Sequence, residues 1–573
     1  MPAAQGWRLQ APPALLWLTL APIAVIVVFV AVMIWVSFHR GVFGTATATY
    51  TLENYQEILT DPFLYRVLWN TATFTLSTTC IALLIGLPIA WLAERTTLPG
   101  KTFVYAIMTF GLLIPGIYTA MGWTFIAHPR IGFLNRWLVD LFGLESAPLN
   151  IATPVGMGFV QGLNLAALAF ILTAQMFRAM NPTLEEAAQV HGMGFGRTLR
   201  RVTLPLALPG ILAAVVYIVT IGIATFDIPA ILGLGNRVYM LSTFIYLKVH
   251  PQGSGLPEYG ITGAVGTFMI AVAALLTSWY GQVLRRGHRF EVVTGKGYRP
   301  SLIKLGGWAV AGWFFIGLYA FISKLLPLLL ILYVALTPYF APPSLEMMRQ
   351  LSLIHFYNMD WELVRRGALN TAKLVLVVPL LVLLFSFSIS WLVVRSRSRA
   401  RYALEFCAFL PQALPEVILA IGALLLSLFV LRGFVPLYGS VWLIAIVYVV
   451  ARLAFATRAF NGSLLQIHRE LEEAAFVAGL STVRTAWRVL LPLLRPTLLS
   501  VWIWTALLVY RELTVAVFLG VHDNITFPAV IWSYWYSGVM NKASAVTLLM
   551  TVVLAPLIVV FWWFGRRSQV PAG

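Results

Sequence analysis

Apolar stretches of about 20 residues, each bounded by charges or Pro/Gly clusters, recur along the whole chain, and that length is what a helix needs to cross a bilayer. The pattern predicts spans at roughly 14–37, 69–94, 103–127, 151–177, 207–234 and 261–283. A second set follows at roughly 308–338, 371–394, 402–430, 437–458, 496–520 and 542–564, about twelve in all. Lys324 interrupts the overlong seventh stretch, so residues near 306–322 form either a separate interfacial helix or the extended start of that span. The first stretch, Leu15 to Val36, is longer than the roughly 7–15 apolar residues of a signal peptide. It is expected to be retained, despite the Ala46-Thr47-Ala48 triplet beyond it.

The polar segments between the spans carry a duplication. Glu185-Glu186-Ala187-Ala188, with Gly192, recurs as Glu472-Glu473-Ala474-Ala475, with Gly479, at an offset of 287 positions. The match extends through Arg197/Arg484, Arg201/Arg488, Leu204-Pro205/Leu491-Pro492 and Pro209/Pro496. Nearer the start of each copy, Asn70-Thr71/Asn370-Thr371, Trp91-Leu92/Trp391-Leu392 and Pro115/Pro415 pair at an offset of 300. An internal repeat of this size governs the fold. The predicted fold is an all-α polytopic membrane protein of about twelve transmembrane helices in two parallel six-helix repeats. The first repeat is 1–284, with its polar loop at 182–205, and the second is 306–573, with its loop at 469–492. A basic linker, 285–305, joins them.

Composition supports the membrane reading: 60% of residues are hydrophobic, 10% are charged, and mean hydropathy is +0.85. A soluble domain would need far more charged surface. The net charge of +18 does not indicate a nucleic-acid partner, because the basic residues are dispersed between spans. About 25 of the 39 Lys and Arg fall on the side shared with the N terminus, including Arg285-Arg286, Arg395, Arg397, Arg399, Arg401 and Arg566-Arg567. By the positive-inside rule both termini and both Glu-Ala-Ala loops are expected in the cytoplasm. Cys80 and Cys407 both lie in apolar stretches and are expected to be buried small hydrophobes, with no disulfide framework.

Within the first loop, Thr183-Leu184-Glu185-Glu186 fits a capping box ahead of a short helix, and Pro182 halts the preceding span. Gly192 permits a sharp redirection. A second helical segment carrying Arg197, Arg200 and Arg201 is expected to end at Leu204-Pro205. The second loop lacks the Pro-Thr start, having Arg469-Glu470 there, so only the first has its cap.

Both loops match the pattern Glu-Ala-Ala, three residues, Gly, nine residues, Ile/Val, one residue, Leu-Pro. In this they resemble the membrane subunits of ATP-binding-cassette importers, and the resemblance covers essentially the whole chain. It implies the type I importer permease fold in a fused, two-copy form. In that family the loop is a coupling helix seated in a groove of the ATPase subunit. The implied coupling residues are Glu185, Glu186, Ala187, Ala188, Gly192, Glu472, Glu473, Ala474, Ala475 and Gly479. The implied partners are ATP-binding-cassette ATPase subunits, expected as a homodimer, a substrate-binding protein and membrane lipid, and the implied location is a bacterial inner membrane. The fused format, the run Pro129 to Asn135 and the segment Arg511-Glu512-Leu513-Thr514 look most like ferric-iron permeases; thiamine and phosphonate or polyamine permeases share much of the pattern.

No Gly-x-x-x-x-Gly-Lys-Ser/Thr occurs, so ATP hydrolysis is expected in partner subunits. His468-Arg469-Glu470 has the wrong spacing for a zinc-binding helix. No enzyme site, cofactor or metal centre is expected. The other class considered is a twelve-span secondary transporter of two parallel halves, but Arg95 to Lys101 lacks the Asp-Arg pattern expected in its second-span loop. Charges within spans are candidates for function by default. Asp227, Arg511 and Glu512 fall at near-equivalent places in the two copies; they either line a central pathway or satisfy buried partners where the spans break. Lys324 and Lys373 are expected to snorkel, and Trp532, Trp535, Trp562 and Trp563 to anchor at the membrane interface.

Overall fold

The computed structural model describes residues 13–41, 47–180, 183–251, 255–287, 302–396 and 400–567. Most of the basic linker, Pro182, Arg397, Arg399 and the side chains of Trp562 and Trp563 lie outside the described residues. Among those described, eight helices are long and apolar enough to span a membrane: Leu15–Ser37, Pro62–Arg95, Pro154–Arg178, Phe195–Ala224, Tyr259–Leu276, Trp308–Leu336, Trp361–Arg395 and Val441–Gln466. Side chains start them where the sequence provides a cap. Asp61 Oδ1 accepts from Phe63 N at 2.8 Å with Pro62 at the first helical position, and Thr153 Oγ1 accepts from Gly156 N at 3.0 Å ahead of Pro154.

The expected third and ninth spans are bent pairs rather than single helices. Lys101–Gly111 meets Gly116–Ala127 at 91°, and Arg401–Gln412 meets Glu416–Val430 at 102°. Proline drives its preceding residue out of helical geometry, and Ile114 accordingly has ψ 128°. The repeated Pro115/Pro415 pair therefore marks a break common to both copies. The fifth and eleventh spans also stop short of their expected ends, at Ala224 and Tyr510. Each is followed by a short buried helix, Asp227–Gly233 or Thr514–Leu519, and then by a second one, Leu241–Val249 or Phe527–Tyr536. The twelfth span is the helix Met540–Arg567.

Other expectations change as well. The seventh span is one helix to Leu336 with a π-turn, Phe321–Leu325, at Lys324, so residues near 306–322 are its extended start. The first loop's arginine-bearing segment does not end at Leu204-Pro205: the π-turn Leu199–Thr203 accommodates the proline, and the helix continues to Ala224. In the second copy the corresponding helix bends by 80° between Leu493 and Arg495. Cys80 is exposed on the outer wall rather than buried. Trp532 is 7% exposed and lies between the two repeats, not at an interface belt.

The repeats interlock. The first helix of each copy packs on the other copy, and repeated glycines allow the approach: a Cβ at Gly122 would strike Pro327, and one at Gly422 would stand 2.9 Å from Phe29 O. The repeated Asn-Thr pairs hold the excursions after the fifth and eleventh spans. Thr71 Oγ1 accepts from Leu241 N at 3.0 Å and Thr371 Oγ1 from Phe527 N at 2.8 Å. Asn70 and Asn370 donate to Tyr239 O at 3.1 Å and to Ile525 O at 3.0 Å. A pattern visible only as repeated letters is thus a duplicated set of interhelical hydrogen bonds.

Candidate functional site

The duplicated polar loops fold as short helices, Thr183–Val190 and Arg469–Val477. Each is followed by a glycine in the left-handed region, Gly192 at φ +75° and Gly479 at φ +79°, and then by a second helical segment. A residue with a Cβ is strained at such angles, which explains the repeated glycine. Thr183 is the first helical residue of its element, and no side chain caps the second helix.

The two acidic residues of each motif do different things. Glu185 and Glu472 point inward and are buried, whereas Glu473 is exposed and Glu186 half-buried. Arg95 and Arg395, the last residues of the second and eighth spans, receive the buried pair. Arg95 Nη2 bonds Glu185 Oε2, and its Nη1 donates to Met180 O at 3.3 Å. Arg395 Nε donates to Glu472 Oε1 at 2.6 Å, and its Nη2 to Ile467 O at 2.9 Å. These are the same contacts at the repeat's own offsets. Each arginine ties the end of one span to the carbonyl at the end of another and to the surface helix. The third partner differs: Thr203 Oγ1 donates to Glu185, and Trp391 Nε1 donates to Glu472 Oε2 at 3.1 Å. Ala188 and Ala475 also face inward, so Ala187 and Ala474 with Val190 and Val477, 85% and 76% exposed, form the outer face. Both arginines lie four residues after the repeated tryptophans, so the offset could have revealed them from sequence.

The four breaks in the third, fifth, ninth and eleventh spans meet around a cavity of about 380 Å³. Asp227, Arg511 and Glu512 all line it, as do Glu416 and Arg452, which sequence reasoning passed over. Glu512 also caps the next helix, its carboxylate accepting from Thr514 N at 2.8 Å and Val515 N at 3.1 Å. Glu512 thus lines the cavity and satisfies backbone partners at a span break at the same time. Asp227 Oδ1 accepts from Ile228 N at 3.0 Å. Arg452 Nη1 meets Glu416 Oε1 at 2.6 Å. Arg511 Nη1 crosses to the first copy and donates to Ile114 O, the carbonyl at the Pro115 break, at 3.3 Å. The acids are distributed unequally. Glu416 takes the repeat position of Gly116, where a Cβ would collide with Asp227, and Asp227 takes that of Thr514. The first copy thus supplies one acid, from the fifth span, and the second supplies two, from the ninth and the eleventh.

The cavity lies on the side of the breaks that faces the Glu-Ala-Ala helices, lined there by Tyr217, Thr220, Trp504 and Leu508. Beyond the breaks it is closed. Every residue from Ile117 to Ala127 and from Val417 to Leu425 is buried. Aromatic rings from both copies meet in the same region: Phe226 and Phe518 at 5.3 Å between centroids, Tyr246 and Phe518 at 5.6 Å, Tyr246 and Trp532 at 5.9 Å. Such edge-to-face contacts fill a seam densely. Among the described residues no group of three or more His, Cys, Asp or Glu is arranged to hold a metal ion.

A family model described as binding-protein-dependent transport system inner membrane component matches residues 66–289 and again 383–569. The ferric transport system permease protein FbpB of Actinobacillus pleuropneumoniae is 24% identical over 569 residues, covering 95% of this chain and 77% of that protein. A probable ABC transporter permease protein of Sinorhizobium fredii is 24% identical, covering 86% of each. The molybdenum transport system permease protein ModB of Escherichia coli is 26% identical, covering 40% of this chain and 97% of its own length. Among solved structures, a bacterial alginate ABC transporter in complex with an alginate-bound periplasmic protein aligns at a TM-score of 0.32 and 20% identity, over 41% of this chain and 83% of that one.

Proposed function

From a chain that belongs to the binding-protein-dependent transport system inner membrane components, we propose a specific division of labour within an ATP-driven importer. The chain is the importer's permease, a transport component rather than an enzyme. Two ATP-binding-cassette ATPase subunits, a homodimer, seat the helices Thr183–Val190 and Arg469–Val477. A substrate-binding protein delivers cargo from the opposite face. Ferric iron is that cargo, a reading supported by the ferric permease relatives, which match along most of the chain. The protein sits in a bacterial inner membrane with both termini and both surface helices in the cytoplasm, as its basic residues favour.

The observation that carries the proposal is the doubled surface helix with its repeated inward anchor. A helix of nine residues is not stable alone; pinned by Arg395 and Glu472 at one face, it can transmit a push on its other face to the ends of two spans. ATP binding draws the two helices together, the breaks around the cavity shift, and the closed aromatic seam opens while the cavity closes. ATP acts through its different affinity for the two states. Asp227, Arg511 and Glu512, with Glu416 and Arg452, line the path. Reconstituting the chain with its ATPase and binding protein, and offering radio-iron, thiamine or a phosphonate, tests the assignment. ATP-dependent uptake of iron alone supports it; uptake of another cargo, or uptake driven by an ion gradient, refutes it.

A further inference from the structure

One basic side chain directly behind the cavity wall has no charged partner among the described residues. Lys324 sits in the π-turn Phe321–Leu325 of the seventh span. Its Nζ donates to Asn164 Oδ1 at 3.1 Å, an oxygen that also accepts Thr119 Oγ1 at 2.9 Å. It does not snorkel. Tyr118 Oη holds Lys324 O at 3.2 Å, and Tyr319 Oη and Ser323 Oγ both reach Leu163 O, at 3.1 and 3.4 Å, which fixes the turn against the first copy. Asn164 and Gly111 line the cavity, and a Cβ on Gly111 would stand 3.5 Å from Lys324 Cε. Lys324 is not itself a lining residue, so its ammonium stands directly behind Asn164, one side chain back from the cavity.

The other charges here are already engaged. Glu416 has Arg452, Glu512 has two backbone amides, Asp227 has one, and Arg511 has the Ile114 carbonyl and the charges of Asp227, Glu416 and Glu512 nearby. An ammonium has three donors, and Lys324 spends one on a neutral amide. A cation held within a membrane without a counter-charge is costly and marks a functional position. A ferric ion in neutral water, for its part, is never bare; it carries oxygen ligands, many of them anionic. We propose that Lys324 and Asn164 form an oxyanion-accepting locus in the cavity wall, so that the cargo is taken as a species still bearing a carboxylate or phosphate ligand. This rests on the importer reading and sharpens its cargo from an ion to a liganded ion.

The test uses the full chain in lipid nanodiscs, titrated calorimetrically with citrate and with inorganic phosphate, and compares wild type with three variants. Lys324→Gln keeps a donor for Asn164 but removes the charge; Lys324→Arg keeps the charge. Asn164→Asp gives the ammonium an internal counter-ion, a change that folds if Lys324→Gln does not. Wild type is expected to bind at least one of the two anions. Lys324→Gln and Asn164→Asp are each expected to weaken that binding about tenfold or more, the worth of a charge-assisted hydrogen bond, with Lys324→Arg retaining it. Preference for citrate would point to polycarboxylate ligands, and preference for phosphate to inorganic phosphate. No binding by wild type, or equal binding by wild type, Lys324→Gln and Asn164→Asp, overturns the proposal. Failure of wild-type iron uptake would instead remove the ferric assignment and leave these titrations standing.

Discussion

Replacing Glu472 by Ala strands the Arg395 guanidinium in a site where the arginine is only 9% exposed. It also leaves Trp391 Nε1 without the carboxylate oxygen it meets at 3.1 Å. Removing one partner of a buried ion pair costs about 3–5 kcal/mol, and the stranded indole N–H adds about 1 kcal/mol. The anchor lies at a span's end, where water can reach after local opening, so the lower figure of about 3 kcal/mol applies. Besides this anchor the helix Arg469–Val477 is held by Arg469 Nη2 donating to Val394 O at 3.1 Å and by buried Ala475, and it is too short to persist alone. A loss of about 3 kcal/mol then raises its open fraction by about 150-fold. Amide hydrogen exchange of the full chain in nanodiscs reads this directly, with peptides over 468–480 reporting the second copy and 183–193 serving as the internal control. Faster exchange confined to 468–480 is expected. Acceleration below about threefold, or equal acceleration in both loops, would refute the anchor's role, since about threefold is under 1 kcal/mol.

The outer face gives a contrasting expectation. Glu473→Lys should abolish ATP-dependent uptake while leaving membrane insertion and thermal unfolding unchanged, because this carboxylate is exposed. Gly479→Val meets no neighbour within 4 Å but must adopt φ +79°, so it should cost about 1–2 kcal/mol of local stability through backbone strain alone, measurable by the same exchange experiment. Gly116→Ala forces its methyl into Asp227; thermal unfolding should fall by about 1–3 kcal/mol, and a fully stable variant would contradict the packing at this break. Glu512→Gln retains one acceptor for two amides, and should cost about 1 kcal/mol in the same assay.

The repeat, its parity and the surface helices could be read from letters because duplication leaves matched residues at a constant offset. The same offset already contained the anchors and the interlocking glycines: Arg95/Arg395 and Gly122/Gly422 are repeat partners as clearly as Pro115/Pro415. What hydropathy could not show was where spans break. A bilayer-length apolar run looks alike whether straight or bent, and the groups that meet the stops at Ala224 and Tyr510, Ser242 Oγ donating to Thr225 O and Glu512 accepting from Thr514 N, are distant or ambiguous in sequence. Trp532 and Lys324 were misplaced for a related reason. Interface anchoring and snorkelling assume a residue faces lipid, whereas both face the other copy. Glu416 was detectable in principle, as the one acid at a proline break whose repeat partner is glycine.

Distance between the two surface helices during the ATP cycle addresses the proposed mechanism most directly. Arg197 and Arg484 are repeat partners, both exposed, one on each segment that follows the Glu-Ala-Ala helices. Cysteine substitutions there carry spin labels outside the expected docking face, in the assembled importer with its ATPase and binding protein. A shorter label-to-label distance on trapping ATP, returning after hydrolysis, is expected. A distance unchanged by ATP, with transport intact, would contradict the claim that these helices drive the permease.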